Sequence, residues 1–290
     1  MSSNADPDRL DLSVAIITCN NAATIARTLE SIAPLRPAEV VVVDSGSSDA
    51  TERICLEAGA KVVRHQWEGH VRQKQFALEA CRARWVLSLD SDESLQPDLA
   101  QEIHEAIRRS GNDSAGYEMI RRLWWRGREM MHVFQPEWRL RLVRRDSAIW
   151  TGYDPHDRLE VRGEVKRLRG VIRHDAFADV PDLVRKQVAH GLRAAESYHA
   201  MGRRGSFALL AVSPTAAFLK QVMFKAAFLD GWAGWVCASG AAVSAGVKQM
   251  RLLELSRDEQ AARRAREQSP PPAVPASRTG SAGDTARAAP

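Results

Sequence analysis

Asp90, Ser91 and Asp92 follow an apolar run at residues 85–89 (WVLSL). Two carboxylates two residues apart on an extended chain reach one divalent cation and its ligand together. Hard cations such as Mg²⁺ and Mn²⁺ prefer such oxygens and take only one or two of them beside substrate phosphates. A D-x-D sequence alone is a weak motif, because Asp92 and Glu93 also suit a turn or a helix start near Gln96 and Pro97. Asp44 ends a second apolar run at 39–43 (EVVVV). A carboxylate at a strand end in an α/β sheet accepts hydrogen bonds from a ribose or a base edge, or it caps the next helix. Asn20 lies just beyond a third run, 12–18 (LSVAIIT). No G-x-G-x-x-G and no G-x-x-x-x-G-K-[ST] follows these runs, so neither a dinucleotide fold nor a P-loop is supported.

The elements that must position these groups follow from periodicity. Runs 12–18, 39–43, 60–64 and 85–89 are short, apolar and rich in β-branched residues, which predicts buried strands. Between them, Ile25, Leu29 and Ile32 share a helical face that Pro34 and Pro37 terminate. Ile54 and Ala58 share another, opened by Ser48 or Asp49 and closed by Gly59, and 73–81 has a helical pattern. This alternation predicts an α/β fold, a mostly parallel sheet flanked by helices, with ligands bound beyond the carboxyl ends of the strands. Asn20, Asp44 and Asp90 then meet at one sheet edge.

After an amphipathic helix at 103–109, residues 119–145 carry Arg121, Arg122, Arg126, Arg128, Arg139, Arg141, Arg144 and Arg145 among Trp124, Trp125 and Trp138. This stretch reads either as a solvated face or as a surface for phosphorylated groups and anionic lipid, and the tryptophans as core, interfacial anchors or stacking platforms. Pro181 and Asp182 open a helix at 180–198. Residues 207–247 are the most apolar part, with no charge between Asp230 and Lys248. The glycines and serines there favour a packed or interfacial helical hairpin over a membrane crossing. Residues 1–11 are expected to be flexible, 12–180 to form the α/β domain, 181–255 a helical extension suited to a membrane surface, and 256–290, which become Pro/Ala/Ser-rich, a disordered tail.

Composition sets the outer bounds. With 290 residues, 44% hydrophobic and 27% charged, the chain falls in the range of folded domains and outside the fibrous and disordered classes. A net charge of +5 favours anionic partners. Cys19, Cys55, Cys81 and Cys237 form no C-x-x-C pair, which argues against a zinc site and for a reducing compartment. Asp6, Asp8 and Asp11 replace the basic region of a secretory signal, so the cytosol or the inner face of the cytoplasmic membrane is the expected location.

The order IITCNN, EVVVVDSGSSDAT, RQKQFAL and WVLSLDSDE resembles the family 2 glycosyltransferases of GT-A fold over about residues 12–96, and within them the lipopolysaccharide-core glucosyltransferase branch. Residues 140–159 (LRLVRRDSAIWTGYDPHDRL) resemble that branch's R-L-F-R-R segment and V-H-E site, and 218–234 (FLKQVMFKAAFLDGWAG) its C-terminal signature. The resemblance implies that Asp44 holds the uracil or ribose of a nucleotide sugar, with Thr18 and Asn20 lining the same pocket. Lys74 would approach the donor, Asp90 would contact ribose or sugar, and Asp92 would hold Mg²⁺ or Mn²⁺. Asp157 would be the catalytic base, His156 a metal ligand or the orienter of Asp157, and Arg141 the cation facing the leaving diphosphate. Two departures stand out: His156-Asp157 replaces His-Glu, shortening the base by one methylene, and Asn21 stands where an acidic residue often follows the first asparagine.

The activity so implied is inverting, metal-dependent transfer of a hexose, glucose first among candidates, from a UDP-linked donor to a lipid-linked lipopolysaccharide-core or related envelope glycan, without nucleic acid. A sugar-phosphate or nucleotidyl transferase would share the acidic strand ends. A non-catalytic membrane- or nucleic-acid-binding protein would use only the Arg/Trp stretch and would bind with steep salt dependence.

Overall fold

The computed structural model describes residues 9–109, 113–154 and 156–268. Strands β1 (Leu10–Thr18), β2 (Pro37–Asp44), β3 (Lys61–Arg64) and β4 (Trp85–Asp90) alternate with helices α1 (Ile25–Ile32), α2 (Thr51–Glu57) and α3 (His70–Glu79). They pair in parallel in the order β3-β2-β1-β4. Side chains alternate along β1: Leu12, Val14 and Ile16 enter one core with Leu29 and Leu87, whereas Ala15 and Ile17 enter the other with Val41, Val43 and Val86. A sheet covered on both faces requires apolar residues at consecutive positions, as in Val41, Val42 and Val43, all fully buried.

After β5 (Glu93–Leu95) and α4 (Pro97–Arg109), the sheet grows in the other direction through β6 (Gly116–Trp125), β7 (Arg128–Glu129) and β8 (Trp138–Arg144). β9 (Ala148–Tyr153) and β10 (His156–Val161) form a separate antiparallel ribbon, and β11 (Val165–Phe177) returns to the main sheet. The full order is β3-β2-β1-β4-β8-β6-β11-β5, with β7 hairpinned onto β6. Antiparallel β8 lies between β4 and β6, so the fold is the expected α/β architecture with a mixed far half. Trp150 of β9 is buried in the second core, which seats the ribbon on the same face as α3.

Asp179 caps α5 (Val180–Ala200) by accepting the Asp182 N–H at 2.8 Å. α6 (Phe207–Leu219) runs into a π-helical turn, and α7 (Trp232–Gln268) packs against α5 and α6. The uncharged run between Asp230 and Lys248 is the wedge of this layer. Its Ala233, Cys237, Ala238, Gly240 and Ser244 are buried, small residues that let helices approach closely.

The exposed apolar surface lies instead on Phe207–Phe224, 18 residues long and only 6% buried, a run that could cross a bilayer by length and composition alone. The chain also stays helical beyond residue 255, correcting the expected tail boundary. Ser256 is buried and accepts the Gly205 N–H, and Glu259 pairs with Arg204 and Arg263, so the polar end of α7 is tied to the turn before α6. The remainder of the predicted tail and most of the predicted flexible start lie outside the described residues.

Candidate active site

The carboxyl edge of the sheet opens on a cavity of about 1160 Å³ whose wall includes Lys74, Asp90, Asp92, Arg141, His156 and Asp157. Asp90 ends β4 in register with Ile17 of β1, and its oxygens face cations from three elements. Lys74 Nζ of α3 is 2.9 Å away, Arg141 of β8 is at 3.2 Å, and Arg121 of β6 is at 3.9 Å. Burial works to raise the Asp90 pKa, but Lys74, Arg141 and Arg121 override it and hold the carboxyl well below the usual range. Glu93, fully buried on β5, accepts from Arg141 at 2.5 Å, from Arg121 at 3.1 Å and from the Asp90 N–H at 3.1 Å. Glu137 binds the other side of the Arg121 guanidinium at 2.5 Å.

Lys74 also reaches Asp157 of the β9–β10 ribbon at 2.9 Å. One ammonium thus bridges a strand-end acid and the acid expected to be the base. Burial raises the Asp157 pKa, yet Lys74 outweighs it and leaves the group below its ordinary value. The ribbon is fixed to α3 through Asp154, which accepts the His70 N–H at 2.9 Å and faces His70 Nδ1 at 3.0 Å. This seats a carboxylate at the N-terminus of the helix that carries Lys74.

Asp92 differs from Asp90. It lines the cavity, and its one ion-pair partner among the described residues is His174 Nε2 at 3.6 Å. Burial opposes ionisation of Asp92, but His174 prevails and lowers its pKa, so it is a carboxylate at neutral pH. Among the described residues no group of three or more His, Cys, Asp or Glu converges as a metal cage. The donor set nonetheless fits a hard cation of the kind the resemblance implies, which takes one or two protein carboxylates and completes its shell with phosphate oxygens and water. Asp92 supplies one such group. His156 is not brought into an acidic cluster with it, because its ring lies against Tyr153 at 5.3 Å and His190 at 6.3 Å.

Thr18, Asn20 and Asp44 are brought together beside this cavity, not onto its wall. Thr18 pairs in register with Asp44, and Asn20 Oδ1 accepts the Ser48 N–H at 2.8 Å. Asp44 is 1% exposed, and its oxygens accept from Gly46 N–H at 2.8 Å, Ser47 N–H at 2.7 Å and Ser47 Oγ at 2.5 Å. The serine-rich loop after β2 turns two of its amides onto Asp44. Thr18 Oγ1 is buried with no hydrogen-bond partner.

Residues 13–158, half of the chain, match the model of glycosyl transferase family 2. The chain is a family 2 glycosyltransferase. Over 256 residues it is 30% identical to an uncharacterized glycosyltransferase of Rickettsia typhi, covering 84% of this chain and 87% of that protein. Over 258 residues it is 29% identical to the lipopolysaccharide core biosynthesis glycosyltransferase LpsC of Rhizobium meliloti, covering 85% and 93%. Among solved structures it is similar to glucosyl-3-phosphoglycerate synthase from Mycobacterium tuberculosis, at 18% identity and a TM-score of 0.44, covering 68% of this chain and 80% of that one.

Sequence reasoning missed several parts of the glycosyltransferase's site. Glu93 directly follows the D-S-D triplet, where it resembles a helix-start residue, and Arg121 sits in a stretch that suits a solvated face as well as an anion-binding surface. That stretch is largely neutralised: Arg121 and Arg141 are held by Glu93, Arg122 by Glu129, and Arg139 by Glu137. Trp125 is a core residue 5.3 Å from Trp232, while Trp138 and Trp124 lie under Arg167 and Arg173. Asp230 of the 218–234 signature accepts the N–H groups of Met131, His132 and Val133, so its role is to anchor the chain leading into β8.

Proposed function

We propose that this glycosyltransferase moves a hexose, glucose foremost, from UDP to a lipopolysaccharide-core or related envelope glycan by a single inverting displacement. The observation that carries this reading is the convergence of Asp90, Asp92, Lys74 and Asp157, from three distant stretches of sequence, on one cavity at the carboxyl edge of the sheet. Asp92 is the residue to hold Mg²⁺ or Mn²⁺, and the ion, when bound, neutralises charge on the leaving diphosphate. Thr18, Asn20 and Asp44 form the nucleoside end of the donor site, with the buried Thr18 hydroxyl free to bond to it. Arg141 acts from behind Asp90, adding positive potential.

Asp157 takes the proton from the acceptor hydroxyl as that oxygen attacks the anomeric carbon. Tied to Lys74, Asp157 is a weak base. A diphosphate arriving beside Lys74 competes for the ammonium, and an Asp157 relieved of that pair regains basicity, which couples donor binding to readiness for attack. The name of the LpsC relative supports a core-type acceptor. The exposed apolar side of α6 and its continuation, with Phe207 65% and Phe224 83% exposed and Trp232 and Trp235 nearby, supports peripheral binding to the inner face of the cytoplasmic membrane.

The test is a transfer assay with UDP-glucose, Mn²⁺ and truncated lipopolysaccharide cores, following released UDP and the anomeric configuration of the product. Asp157→Asn is expected to lower kcat by about 10²–10⁴ with donor affinity retained. Asp92→Ala is expected to abolish turnover and metal-dependent UDP binding with the fold intact. Undiminished transfer by Asp92→Ala would refute the metal assignment.

A further inference from the structure

The cavity continues away from the strand ends to a wall made by α5 and α7, and there its charge changes character. Near the sheet, Asp90, Asp157 and Glu137 are each matched by a cation. From α5 and α7 the wall receives Lys186, His190, Arg193 and Lys248, and no carboxylate. Lys186 is engaged by Asp182. Arg193 and Lys248 have no carboxylate partner among the described residues, and the buried Nε of Arg193 has no hydrogen-bond partner at all. Lys248 Nζ lies 5.0 Å from the Tyr198 ring centroid, and His190 Nδ1 is 3.0 Å from Ser244 Oγ across the helix pair.

These positions are held by backbone packing. Gly191 of α5 lies so close to the Ser244 carbonyl that a Cβ would come within 2.6 Å of it, and Gly240 of α7 is pressed against Leu183 in the same way. Two helices locked at this distance hold Arg193 and Lys248 on one cavity wall. Their charge bears on His190: burial, then His156, Arg193, Lys248 and His70, push its imidazole down to about 4. Burial and Arg203 hold the Lys248 ammonium below the usual lysine range. A concave site lined by one sign of charge and walled by low-dielectric protein concentrates ions of the opposite sign, and an uncommitted guanidinium is suited to phosphate or carboxylate oxygens.

We infer that the α5–α7 wall is a subsite for an anionic substituent of the acceptor, a phosphate ester or a carboxylate on the sugar, held by Arg193 and Lys248 with His190 beside them. This deepens the glycosyl-transfer reading and rests on it: the attacking hydroxyl lies toward Asp157 and the anion on the α5–α7 wall of the same cavity. Acceptors carrying the negative group are then chosen over neutral ones.

The test titrates the full chain at low ionic strength, with UDP and Mn²⁺ saturating so that the diphosphate position is filled, against glucose 6-phosphate, glucuronate and glucose. Either anionic sugar is expected to bind at least about tenfold more tightly than glucose, the equivalent of one charge-assisted hydrogen bond. Which of the two binds better identifies the anion. The Arg193→Gln/Lys248→Gln variant is expected to lose that preference, while its thermal midpoint and UDP affinity report an intact fold and donor site. Equal affinity for all three sugars, or a preference unchanged in the variant, overturns the subsite. If UDP fails to bind the native chain but the sugar anion still binds through Arg193 and Lys248, the donor reading fails and the anion site stands.

Discussion

The two ends of the cavity use the same residue types to opposite effect. At the strand ends Arg121 and Arg141 are enclosed by Asp90, Glu93 and Glu137, and the charges satisfy one another. At the helical end Arg193 and Lys248 face the same cavity with no acid contributed by their own helices. A buried charge that has partners in its own wall is part of the scaffold: it orients its neighbours, and its removal leaves them uncompensated. Charges without such partners, held together by rigid helices, retain free valence for a ligand. The comparison separates positioning groups from binding groups where proximity to the cavity alone does not.

The sharpest way to break this contrast is Glu93→Ala. It leaves two buried guanidiniums short of a partner, and a loss of about 3–5 kcal/mol in unfolding free energy is expected from urea melts. A variant as stable as the native chain would show that the strand-end network is not scaffold. Next in size is Asp230→Ala, which strands three backbone N–H donors at residues 131–133. A loss of about 1–3 kcal/mol is expected, together with faster amide exchange at those residues.

A pH series of melting temperatures then addresses both ends at once. Burial opposes the charge on Glu137, but Arg121 and Arg139 hold its carboxyl at about 2. The stability it contributes is therefore complete above the ordinary carboxylate range of about 4 and is lost as pH falls toward 2. His190, depressed to about 4, resists protonation in the folded chain. Stability should therefore already decline as pH drops from about 6.5, and His190→Gln should flatten that upper segment and leave the lower one unchanged. The smallest effect is expected for Lys248→Gln, within about 0.5 kcal/mol of the native chain, since no ion pair is lost and repulsion from Arg203 is relieved. A loss comparable to that of Glu93→Ala would place Lys248 in the scaffold.

Much of the parallel half of the sheet is legible in the sequence. Val41, Val42 and Val43 read as a strand covered on both faces because nothing polar interrupts them, and the break at Asp44 marks its carboxyl end. The same logic located Asp90, whereas the helix expected at 103–109 begins six residues earlier, at Pro97. It went astray where a local pattern serves two purposes. Glu93 suits a helix start as well as a buried ion pair. The uncharged residues 231–247, open to a packed or an interfacial reading, form a seam of small side chains between α5 and α6. The polar end of α7 falls in the stretch expected to be a disordered tail, yet Ser256 and Glu259 are anchored by Gly205 and Arg204, residues about fifty positions upstream.

The sequence by itself determined the four strands of the parallel half, their polar exits and the family, because these rest on periodicity and on short contiguous motifs. Only the tertiary structure decided that Lys74 joins Asp90 to Asp157, that Asp44 turns its oxygens onto its own loop, and that Arg193 is left without the acid that Arg141 has. The physical reason is that a charge's role depends on which opposite charges lie within a few ångströms. Those neighbours come from elements far apart in the chain, set by how helices and strands pack and not by what each segment prefers alone.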